Sequence, residues 1–62
     1  MDGAIQRLND VLAKEPPTIP WALVAQATNE ALSISFEAAE ALELSLERLG
    51  YAANHKGDWV RA

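Results

Sequence analysis

LERLGYAANHKGDWVR, residues 46–61, carries the passage from helix to hairpin on which the fold turns. Up to Leu49 the apolar residues recur at helical spacing. Gly50 then stands where a helix needs a left-handed residue to stop, a conformation glycine reaches without steric cost. Tyr51 can fold back as the hydrophobic contact of that stop. Beyond it the helical period vanishes, and the polar tetrad Asn54-His55-Lys56-Gly57 separates Tyr51-Ala52-Ala53 from Trp59-Val60-Arg61. With Gly57 left-handed after a type I turn, a three-residue loop closes a hairpin in which Ala53 faces Trp59 and Tyr51 faces Arg61. Two strands this short are not stable alone, so the hairpin must lie against helices with Trp59 as its anchor.

Upstream, Ser33-Ile34-Ser35 is a break, since Ser is a poor interior residue and a good cap, and a third helix starts at Phe36 with Glu37 in its first turn. At 100° per residue, Ala38, Ala39, Leu42, Leu46 and Leu49 share one face, and Glu37, Glu40, Glu47 and Arg48 the other. Residues 3–15 read as the first helix: Asp2 is the expected N-cap, Ile5, Leu8, Val11 and Leu12 recur at helical spacing, and Pro16-Pro17 stops the run. Glu15 to Thr18 should be an extended link, because a residue before proline is pushed out of the α region. Thr18 is then the expected cap of a second helix with Pro20 in its first turn, where a missing N–H costs nothing. Trp21, Val24, Ala25, Thr28 and Leu32 form its stripe, Leu23 falls on the opposite side, and the helix closes near Leu32. The expected fold is mainly α with a C-terminal β-hairpin, one small domain over residues 1–62.

Composition narrows the classes further. Sixty-two residues, half of them apolar and 23% charged, describe a folded chain rather than a disordered one. So short a chain has a small core, which makes self-association or a partner its natural supplement. The chain has no cysteine and a single histidine, His55. Disulfides and thiolate metal sites are therefore excluded, and His55 beside Lys56 reads as an exposed turn residue. The start Met1-Asp2-Gly3 lacks the basic and apolar regions of a secretory signal. The longest apolar run, Trp21 to Ala25, is far short of the roughly 20 residues that cross a bilayer. These features point to a cytoplasmic protein with no membrane partner.

The order of three helices and a hairpin resembles a winged helix-turn-helix domain. Leu32-Ser33-Ile34-Ser35 resembles the turn between that family's second and third helices. Leu46-Glu47-Arg48-Leu49-Gly50-Tyr51 is similar to the end of its recognition helix entering the wing, and Gly57-Asp58-Trp59-Val60 to the wing returning. Asn29 stands where the family's second helix usually has a small Ala, and Ser33 where its turn more often has Gly. The resemblance implies three helices plus a wing, and DNA binding through the third helix.

The charges point elsewhere. Five Lys and Arg against nine Asp and Glu leave a net charge of -4, and no cation lies between Lys14 and Arg48. Carboxylates facing phosphates raise the electrostatic cost of DNA binding instead of releasing counterions. A DNA-binding regulator would have to use Lys56 and Arg61 of the wing with Arg7 and Lys14 of the first helix. Glu37, Glu40, Glu43 and Glu47 read as a solvated helix face rather than an acid/base or metal site, for no histidine shares their segment. No phosphate-binding Gly-rich loop or nucleophilic triad occurs, so catalysis and cofactors are not expected. Leu44 is the informative residue. It falls among Glu37, Glu40 and Arg48, opposite the apolar face, with Ala41 beside it and Phe36 at the edge. A small apolar centre with a charged rim is the layout of a protein-binding patch. The expected contact set is Phe36, Glu37, Glu40, Ala41, Leu44 and Glu47, extended by Leu23. The expected role is a non-enzymatic adaptor in a regulatory or nucleoprotein complex, with a protein partner or a second copy of the chain.

Overall fold

Ser35 opens the third helix as its position suggests: its backbone is extended and its Oγ accepts from the Ala38 N–H at 3.0 Å. The computed structural model describes residues 3–62, and in it the elements run α1 (Ala4–Ala13), β1 (Thr18–Ile19), α2 (Trp21–Leu32), α3 (Phe36–Arg48), β2 (Tyr51–Ala53) and β3 (Trp59–Arg61). The Cα radius of gyration, 10.8 Å, matches the about 10.6 Å of a packed chain of this length. Three helices with a C-terminal hairpin make a winged-helix-like arrangement, mainly helical with a small antiparallel sheet.

The hairpin forms in the expected register, Tyr51 opposite Arg61 and Ala53 opposite Trp59. Its loop is closed by Gly57 N–H on the Asn54 carbonyl at 3.0 Å and Asn54 N–H on the Asp58 carbonyl at 2.8 Å, with Gly57 at φ +93°. Gly50 ends α3 at φ +94°. A Cβ there would meet only the Arg61 side chain, at 3.9 Å, so conformation and not space makes the position glycine. Gly50→Val should therefore cost about 1 kcal/mol or more in backbone strain, while Glu40→Ala or Glu47→Ala stays within about 0.5 kcal/mol. Denaturant midpoints of the three variants check this, and equal values would contradict the helix end.

Several expectations are corrected. The stretch around Thr18 does not cap α2 but forms β1, an edge strand that pairs Thr18 with Val60 and Ile19 with Trp59, giving the sheet order β1-β3-β2. Pro20 is the N-cap residue of α2 rather than part of its first turn. The expected Asp2 cap lies outside the described residues, and the N-cap residue of α1 is Gly3. The first helix is shorter than residues 3–15, and Glu15 is not extended but left-handed at φ +49°, terminating α1 with its N–H on the Leu12 carbonyl.

Neither α1 nor α2 is capped by its own N-cap side chain. The Ala4 N–H donates to Glu30 Oε2 at 2.6 Å, and the Trp21 N–H to Asp58 Oδ1 at 3.1 Å. Each carboxylate comes from a distant element, satisfies a helix-start N–H and lies at the positive end of the dipole. Gly3 permits the first contact, since a Cβ there would collide with the Glu30 carboxylate.

Leu8, Ile19 and Leu46 are fully buried, and Ala4, Val24, Ala27 and Tyr51 complete their cluster. Val24, Ala27 and Ala31 are the buried face of α2, small residues that let the helix sit close to its neighbours. The stripe read from the sequence is thus displaced by about 90° around the helix. Two consequences follow. Trp21, expected in the core, is 58% exposed, and Leu23, expected on the outside, is half-buried against the core. Tyr51 is buried and its Oη donates to the Pro16 carbonyl at 2.5 Å, tying the wing to the α1–β1 link.

Candidate functional site

The outward face of α3 is built as the helical period requires. With Ala39 and Leu46 turned into the molecule, Glu37, Glu40, Ala41, Leu44 and Glu47 are all exposed, and Leu44 is half open to solvent. Phe36 is 70% exposed at the first position of the helix. Leu23 is not part of this surface, because it packs against the core instead.

The larger apolar exposure lies at the turn between α2 and α3 rather than at Leu44. Leu32 ends α2, Ile34 occupies the turn and Phe36 begins α3, and Ile34 is 71% exposed. Leu32 and Phe36, with Thr28, Ala39, Glu40 and Glu43, line a groove of about 210 Å³ between α2 and α3. A wider one of about 410 Å³ lies toward the wing, between Trp21, Trp59, Ala25, Asn29, Lys56 and Gly57. Thr28 and Glu43 line both, so the two are ends of one furrow along α2 and α3. Phe36 and Glu40 of the expected contact set reach this furrow; Leu44 does not line it. Ile34, an apolar residue between two serines in a turn, was a legible signal of this surface. Trp21 was not, because its place on an apolar stripe pointed inward.

The furrow's charge is set by α3. Glu40 and Glu43 line it, Glu37 and Glu47 are exposed on the same helix, and Lys56 is the cation at its wing end. Among the described residues neither Glu40 nor Glu43 belongs to an ion pair; the pair seen is Arg61 with Glu15, at 3.8 Å. The cations that would serve a nucleic acid are partly engaged elsewhere. Arg7 Nη2 donates to Gln26 Oε1 at 3.1 Å, and Arg61 has a carboxylate beside it. Among the described residues no three His, Asp or Glu come together as a metal site, and no described helix is long and apolar enough to cross a membrane. What the furrow can do chemically is take apolar and aromatic side chains along its length and cations at its rim. Set against protein-family models, curated proteins and solved structures, the chain matches none.

Proposed function

We propose that the chain is a non-enzymatic, cytoplasmic module of the winged helix-turn-helix kind that binds a protein partner through the furrow between α2 and α3 and the acidic face of α3. The observation that carries this reading is the exposure of Leu32, Ile34 and Phe36 in consecutive elements beside a helix whose outward charges are carboxylates. Single exposed apolar residues need no explanation, whereas a contiguous set with a charged rim marks a contact surface. The partner this surface fits is an amphipathic helix with apolar anchors and basic flanks, since helices dock in apolar grooves by one face. A symmetric contact between two copies would set Glu37, Glu40, Glu43 and Glu47 against themselves, which charge disfavours. Leu44 extends the contact on the outer side of α3.

The test uses a synthetic amphipathic helix with a Leu and Phe face and Lys and Arg flanks, and a counterpart with Glu flanks. The basic peptide is expected to bind and the acidic one not. Phe36→Glu should weaken the binding about tenfold or more, near 1.4 kcal/mol, while leaving the fold intact. Equal binding of both peptides, or no effect at Phe36, removes this reading. The rival is a DNA-binding regulator acting through Lys56, Arg61, Arg7 and Lys14. Retardation of random duplex DNA at physiological salt, lost in Lys56→Glu or Arg61→Glu, would put that rival in its place.

A further inference from the structure

The wing end of the furrow has a chemistry that its other end lacks. Trp21 opens α2, its backbone N–H held by Asp58 of the hairpin, and Trp59 lies in β3 between Ile19 and Ala53, so two tryptophans from two elements line one groove. The hairpin loop closes against the first of them: a Cβ on Gly57 would stand 3.6 Å from Trp21 Cβ. Glu43 of α3 lines the same groove, and among the described residues its carboxylate has no hydrogen-bond or ion-pair partner. An indole face attracts cations through its quadrupole, more strongly than any other side-chain ring. A carboxylate lining the same groove adds Coulomb attraction, strengthened where a bound segment displaces water.

We propose that this end of the furrow is a seat for a cationic side chain, Arg or Lys of the bound segment, lying on the indoles of Trp21 and Trp59 with Glu43 as its counter-charge. The seat deepens the protein-binding reading and rests on it, naming the charge the partner must place beside the wing. Lys56 also lines the groove and is exposed on the hairpin loop. It forms no ion pair with Glu43, and it opposes the entry of a second cation. A nucleobase would also find two indoles to stack on, but it brings a phosphate into the field of Glu40 and Glu43.

A small probe reads the seat without any partner. Nα-acetyl-arginine methylamide, its neutral isostere Nα-acetyl-citrulline methylamide and thymidine 5′-monophosphate are titrated into the intact chain, following the indole N–H resonances of Trp21 and Trp59. The arginine probe should shift both resonances saturably and bind about two- to fivefold more tightly than citrulline, the range a partly exposed cation–π contact supplies. Glu43→Gln, at an exposed position, should abolish that preference, and Lys56→Ala should tighten arginine binding. Equal binding of arginine and citrulline, an unchanged preference in Glu43→Gln, or tighter binding of the nucleotide would each overturn the seat. Failure of the basic amphipathic peptide with arginine discrimination intact would instead remove the protein-binding reading alone, so the two failures are distinguishable.

Discussion

Leu46→Ala is expected to cost about 2–5 kcal/mol of folding free energy, and Leu44→Ala, two residues away on the same helix, no more than about 0.5 kcal/mol. Leu46 has no exposed surface and belongs to the central cluster with Leu8 and Ile19, whereas Leu44 is half exposed. Truncating the first leaves a cavity in a core of few large side chains; truncating the second only trims a surface. A chain of this length has about 3–9 kcal/mol of stability in all, so Leu46→Ala should remove a large share of it. Urea titrations followed by circular dichroism measure both. Equal losses would mean that α3 is rotated about its axis, and the acidic contact face would go with it.

Tyr51 should separate two contributions at one position. Tyr51→Ala removes a ring only 3% exposed and is expected to cost about 3–5 kcal/mol. Tyr51→Phe keeps the ring and deletes the hydroxyl that donates to the Pro16 carbonyl, leaving that part-buried oxygen without its partner at a cost of about 1–3 kcal/mol. The second loss should appear first as faster amide exchange at Arg61, whose N–H is held by the Pro17 carbonyl one residue further along the link. A neutral Tyr51→Phe would show that the link needs no anchor on the wing.

Much of the candidate surface was legible before folding. The period of α3 alone turns Glu37, Glu40, Ala41, Leu44 and Glu47 outward, because the buried Ala39 and Leu46 leave the helix no other orientation. The furrow beside it was not legible. It exists because α2 turns Val24, Ala27 and Ala31 inward, which sets Trp21 and Leu32 on its flank toward α3 and leaves Leu23 on the other side. Helical spacing alone puts Trp21 and Leu32 on the same stripe as Val24, whereas close helix approach favours the face that carries Ala27 and Ala31.

The division between chain and fold follows the range of the interactions. The stop of α3, the Ser35 cap, the left-handed Gly50 and Gly57 and the hairpin register each depend on residues within a few positions of one another, so they can be read from the chain alone, along with the acidity of α3. The strand Thr18–Ile19 is two residues between prolines and carries no pattern of its own; it exists only because β3 offers a free edge and the core takes Ile19. Glu30 and Asp58 became caps of helices 26 and 37 residues away in sequence. Their local setting, a glutamate in the last turn of α2 and a hairpin aspartate, holds no sign of either role, because a carboxylate caps whichever N–H the packed chain brings to it. The meeting of Trp21, Trp59 and Glu43 is of the same kind: three side chains from α2, β3 and α3 become one site only after the helices and the wing have closed on their common core.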